Sequence, residues 1–166
     1  MLTFSTPDLL DATIQSAGSR SYRTKTSTGF RGRKATSLAI INGKEQQVVG
    51  GIDWREKELV VEGKSWELSE LKSKVPGPSH ILRVWHWGEE NYKVNIHGNQ
   101  WRATRSGQLT PLVTFTQAVQ NFFSASQPAR LCFHVDMPET DRIFFILIMI
   151  YSEIRRRDED ADGHLD

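Results

Sequence analysis

The stretch Ile143-Phe144-Phe145-Ile146-Leu147-Ile148-Met149-Ile150-Tyr151 decides the fold. Its only polar side-chain group is the tyrosine hydroxyl. Glu139, Asp141 and Arg142 precede it, and Glu153, Arg155, Arg156 and Arg157 follow it. Acids ahead and arginines behind complement a helix dipole, positive at the N-terminus and negative at the C-terminus. Pro138 suits a first turn, and Asp136 or Thr140 has the side chain of a cap. The sequence therefore predicts one helix over residues 139–157. A helix with no polar stripe in its middle must be covered on every face.

Three surroundings supply such cover. A bilayer needs about 20 consecutive apolar residues, and this run falls far short. A fully buried strand also reads as an unbroken, β-branched apolar run. The helical flanks and the polar continuation Ser152-Glu153-Ile154-Arg155 speak against it. The third surrounding is the protein's own sheet. On that reading the chain before residue 139 forms a closed or nearly closed β-shell.

The preceding chain carries the signals of such a shell. Short alternating segments fall at residues 2–4, 12–15, 21–26, 35–41, 46–54, 58–61, 64–67, 81–87, 92–96, 100–105, 112–115 and 130–135. Turn chemistry separates them: a hairpin around Gly18, Asn42-Gly43, Glu62-Gly63, the loop Pro76-Gly77-Pro78, and Gly98-Asn99. Gly50-Gly51 interrupts a strand, which predicts a bulge or a corner. Residues 68–71 read as one helical turn, and residues 115–123 alternatively as a short amphipathic helix. On one strand Arg83, Trp85 and Trp87 share a face, with Val84 and His86 opposite. Closure removes exposed edges and leaves an interior for a helix to fill. The expected fold is mainly β: a closed antiparallel barrel of about ten to twelve strands around a buried C-terminal helix.

A length of 166 residues suits one domain with a real core. We expect it over residues 1–157, followed by a disordered acidic tail at 158–166 that holds five acids. With a net charge of +1, the molecule is no polyelectrolyte, and nucleic acid is not an expected partner. The single cysteine, Cys132, sits between Leu131 and Phe133 and reads as a buried thiol. The N-terminus lacks the basic-then-apolar pattern of a secretory signal, so an intracellular location, cytoplasmic or peripheral to a membrane, is the expectation. Nothing in the sequence sets the oligomeric state.

Three passages resemble an uncharacterised family of fungal proteins, found mainly in mushrooms, within the tubby C-terminal-like group. They are Ser21-Tyr22-Arg23-Thr24-Lys25-Thr26, Val49-Gly50-Gly51-Ile52-Asp53-Trp54 and Ile150-Tyr151-Ser152-Glu153-Ile154-Arg155-Arg156-Arg157. The order of elements is similar over residues 2–157. The group also holds the phospholipid scramblases and the plant LURP-one-related proteins. The resemblance implies a twelve-stranded barrel around a hydrophobic helix, and no established activity for the close family. Through tubby-like relatives it implies phosphoinositide binding.

No enzyme motif stands out. The histidines His80, His86, His97, His134 and His164 form no pair at helical spacing and flank no cysteine pair. There is no nucleophile elbow, phosphate loop or dinucleotide fingerprint. No catalytic residue, metal or cofactor is therefore expected. Two other groups stand out. Arg20, Arg23, Lys25, Arg31, Arg33 and Lys34 fall within fifteen residues that contain no acid. Guanidinium and ammonium groups so concentrated suit an anionic headgroup, and the expected function is non-enzymatic binding at an anionic membrane surface. The second group is Trp85, His86, Trp87 and Trp101, which would line a pocket for a small molecule or carbohydrate, with His86 as its catalytic help. The tryptophans equally suit the space between helix and sheet.

Overall fold

A computed structural model describes residues 1–17, 20–75, 82–119 and 126–163. The expected turns at Gly18 and at Pro76-Gly77-Pro78, the histidines His80 and His164, and the last residues of the tail lie outside them. Thirteen antiparallel strands form one sheet: β1 (Leu2–Phe4), β2 (Thr13–Ser16), β3 (Ser21–Gly29), β4 (Gly32–Asn42), β5 (Glu45–Asp53), β6 (Glu58–Val61), β7 (Lys64–Glu67), β8 (Lys72–Lys74), β9 (Arg83–Trp87), β10 (Glu90–His97), β11 (Gln100–Arg105), β12 (Val113–Thr116) and β13 (Arg130–Phe133). A four-residue helix α1 (Leu68–Leu71) joins β7 to β8, and the long helix α2 (Glu139–Asp162) ends the described chain.

The apolar run is the middle of α2, and all of its residues from Ile143 to Ile150 are buried. Their cover comes from strands far apart in the sheet. Trp85 and Trp87 of β9 pack on Phe144, with ring centroids 6.3 and 4.3 Å away. Tyr92 of β10 meets Phe145 edge-on at 5.0 Å. Across the helix, β5 approaches so closely that a Cβ on Gly50 would stand 2.9 Å from Ile143 Cγ2 and 2.7 Å from the Val60 carbonyl oxygen. Gly50 is also where β5 slips register on β4, as Leu38 pairs with Gly50 and Ala39 with Val48. The expected bulge is therefore real, and its glycine lets helix and strand touch. Replacing Gly50 with alanine is expected to cost about 1–3 kcal/mol, as overpacked cores do. Urea unfolding measures it, and an unchanged midpoint would contradict the contact.

The sheet curls around the helix but does not close. Its hydrogen-bonded order runs from β7 through β1 and β13 to β8, and β7 and β8 are its two edges. The expectation of a closed barrel is corrected here. After Glu67 the chain turns into α1, which occupies the gap where a closing ladder would run. Side chains bridge the seam instead: Trp66 of β7 lies edge-on to Trp87 of β9 at 5.0 Å. Edge strands of four and three residues offer little template for pairing with another chain.

Other expectations change at the ends. Pro138 occupies the N-cap position of α2, with no side-chain cap hydrogen bond. Thr140 donates to Glu62 at 2.7 Å instead, and Asp136 accepts from the Met137 N–H. The helix continues through Asp158 to Asp162, where a disordered tail was expected, because Arg155 and Arg156 pair with Glu159 and Asp160 one turn on. Residues 115–119 are not helical: β12 runs to Thr116, and Val119 bridges to Gln127. Cys132 is half-buried rather than buried, because its neighbour Leu131 takes the inward position on β13.

Candidate functional site

The six cations of the basic run do not converge. Arg20 lies ahead of β3, 3.8 Å from Glu139 at the start of α2. Arg23 and Lys25 alternate on β3 with buried Tyr22 and Thr24, so they stand on the outer face. At ~3.3 Å per strand residue, Arg23 is roughly 20 Å and Arg20 roughly 30 Å from the far end of β3. That far end is a tight hairpin: Gly29 pairs with Gly32, leaving Phe30 and Arg31 as its tip. The two strands thus run on past the expected ends at residues 26 and 35, to Gly29 and Gly32.

A bulge decides what Arg33 does. Ser27 pairs with Ala35 but Thr28 pairs with Arg33, so Lys34 is the extra residue. Arg33 is thereby turned to the inner side. It grips Asp158 of α2 with both terminal nitrogens, at 3.0 and 2.5 Å, and its guanidinium lies 5.2 Å over the Trp54 ring. Trp54 stacks on Tyr151 at 5.7 Å and donates its indole N–H to Thr36 at 2.9 Å. Arg33 therefore holds the structure together and is not offered to a ligand.

What remains at the tip is a compact exposed group. Phe30 is fully exposed, Arg31 and Lys34 are exposed beside it, and the Arg55 guanidinium rests against Gly29. Arg55 is the residue sequence reasoning missed. It lies on the turn after β5, and only the pairing of β4 with both β3 and β5 brings it here.

The tryptophan group is divided as well. Trp85 and Trp101 border one cavity, at the end of the sheet where α2 leaves; His86 and Trp87 border another, at the end where α2 enters. Trp85 is fully buried, and Trp87 packs on Phe144 while donating to Asp141 at 2.9 Å. The shared face thus turns to the helix and fills space. His86 Nδ1 lies 2.6 Å from Asn91 Oδ1, and its Nε2 lies 3.2 Å from Ser73 Oγ. Hydroxyl, imidazole and amide stand in the order of a catalytic row. They lie, however, on the exposed outer side of β8, β9 and β10, where water meets any developing charge. We read them as a cross-strand ladder.

One buried charge was not foreseen. Glu153 is almost wholly buried on α2. It accepts from Trp101 Nε1 at 3.0 Å, Gln117 Nε2 at 2.8 Å, Arg156 Nε at 3.0 Å and Arg157 Nε at 2.7 Å. Burial pushes its carboxyl up, but the hydrogen bonds from Arg156, Trp101 and Arg157 outweigh this and hold it below the ordinary range. At the other end of the helix, Tyr22 donates to Glu139 at 2.5 Å. Burial and that acidic partner raise the phenol well above its usual range. Polar bonds thus fasten both ends of an apolar rod to its sheet.

Among the described residues no helix is long and apolar enough to cross a membrane. Compared with known proteins, the chain matches no family model, no curated protein and no solved structure.

Proposed function

We propose that the chain is a non-enzymatic binding protein that docks peripherally on an anionic phospholipid surface through the β3–β4 hairpin. The observation that carries this reading is Phe30, a fully exposed aromatic ring at a hairpin tip, beside exposed Arg31 and Lys34. A ring that packs on nothing is suited to the headgroup boundary, and cations around it suit the anionic layer. The resemblance to the tubby C-terminal-like group points to the same ligand class. Arg31, Lys34 and Arg55 form the contact, and Arg20 and Arg33 stand outside it.

Sedimentation with phosphatidylcholine vesicles, plain or containing phosphatidylserine or a phosphoinositide, tests this. Binding is expected only with the anionic vesicles and should weaken as salt rises. The double variant Arg31→Ala/Lys34→Ala is expected to lose about 2 kcal/mol, roughly 30-fold in affinity, at about 1 kcal/mol per cation. Phe30→Ala should also weaken binding, and Arg20→Ala should not. No binding at low salt, or binding untouched by the double variant, removes the proposal.

A further inference from the structure

The open seam has a consequence that a closed barrel would not. Between α1, β8 and β9 on one side and the last turns of α2 on the other lies a cavity of about 650 Å³. That is within the ~300–1,000 Å³ of small-molecule sites. Trp85, Trp101 and Tyr151 give it aromatic walls. Six cations and three carboxylates border it. Arg155 pairs with Glu159, and Arg156 with Glu153 and Asp160. Setting those pairs aside, Lys57, Lys72 and Lys74 stand against Glu56 and Glu67, an excess of positive charge. Lys72 Nζ stands 5.0 Å above the Tyr151 ring.

The inner wall of the cavity also holds an unsatisfied group. The Trp85 indole N–H is buried and has no hydrogen-bond partner among the described residues. Trp54, Trp87 and Trp101, in contrast, find acceptors for their indole N–H groups. A buried donor without an acceptor is costly, and Trp85 lines the cavity.

We infer that the seam cavity binds a small organic anion with a flat or apolar body. Its carboxylate or phosphate sits at Lys72 and Lys74, and its body lies along Tyr151, in front of buried Trp85 and Trp101. This site is separate from the hairpin tip. A row from Arg33 through Trp54 to Tyr151 nevertheless connects the base of the hairpin with the cavity wall. Such an anion comes either from a membrane, as a single-chain lipid, or from solution.

Titrating the full chain with 8-anilinonaphthalene-1-sulfonate, an aromatic anion, tests the inference. Saturable one-to-one binding is expected, with quenching of tryptophan emission. Lys72→Glu/Lys74→Glu should weaken it about tenfold or more, as opposed charges do, and Lys25→Glu on the outer face should leave it unchanged. Ser69→Trp, placed on α1 to fill the cavity, should also abolish it while the far-ultraviolet circular dichroism is kept. Competition separates the sources: displacement by monomeric lysophosphatidate assigns a membrane-derived ligand, and displacement by 2-naphthoate a soluble one. No saturable binding, affinity unchanged in the lysine variant, or displacement by neither competitor overturns the inference. Vesicle binding of the same lysine variant reads the hairpin separately, so either site can fail alone.

Discussion

Replacing Phe144 with alanine is expected to destabilise the protein by about 3–5 kcal/mol, the range for removing a fully enclosed ring. Phe144 is at the centre of the aromatic group around α2. Its ring stacks on Trp87 at 4.3 Å and 10°, and meets Trp85 and Phe145 edge-on at 6.3 and 5.3 Å. Removing it leaves a hole bounded by large rings, and none of these can collapse freely. Trp87 is fastened to Asp141 through its N–H, and Trp85 is pinned against Tyr151 at 5.7 Å. For a chain of this size the thermal midpoint should fall by roughly 6–20 °C. Calorimetry, or urea unfolding followed by tryptophan emission, measures it. A loss under about 1 kcal/mol would mean that the ring is not enclosed, and the account of the sheet as the cover of α2 would go with it. Phe144→Leu keeps much of the volume and should recover part of the loss.

The same residues show how far a sequence can be read. Residues 143–150 have no polar face, so their enclosure followed from composition alone, and the helix that holds them followed from the acids ahead of the run and the arginines behind it. The alternation of Arg83, Trp85 and Trp87 gave the correct face, because a strand has only two sides. The seam was not legible. Whether β7 and β8 join depends on how far the whole sheet curls, and no local pattern records that sum. A four-residue helix at Leu68–Leu71 was expected, but its place between two edges was not. The basic run was misleading for a related reason. Its residues are close in sequence, but an extended strand carries them about 30 Å apart, and one extra residue, Lys34, turns Arg33 inward to Asp158. Arg33 and Asp158 are 125 residues apart, a partnership no local reading reaches. Arg55 escaped notice because it belongs to a different hairpin.

Glu153, in contrast, left a trace. It continues the buried stripe of Ile146 and Ile150 at helical spacing, and Arg156 and Arg157 follow at three and four residues. A carboxylate on an apolar stripe with two guanidiniums one turn on is the pattern of an enclosed ion cluster. Removing it as Glu153→Ala is expected to cost about 3 kcal/mol, the low end for breaking a buried pair. The low end applies because Arg156 and Arg157 keep 27% and 35% of their side chains exposed, and water screens what they lose. The Trp101 and Gln117 donors would be left without their acceptor as well. The pH dependence identifies the charge. The folded carboxyl titrates below its ordinary value near 4.5, so the folded state binds fewer protons than the unfolded chain in that range. Its contribution is complete above about pH 4.5 and is lost as pH falls through the depressed folded value. Urea midpoints measured from pH 7 down to pH 3 should therefore drop more steeply for the natural chain than for Glu153→Gln, which keeps the shape but not the charge. Parallel profiles would mean that the arginines do not hold the carboxylate.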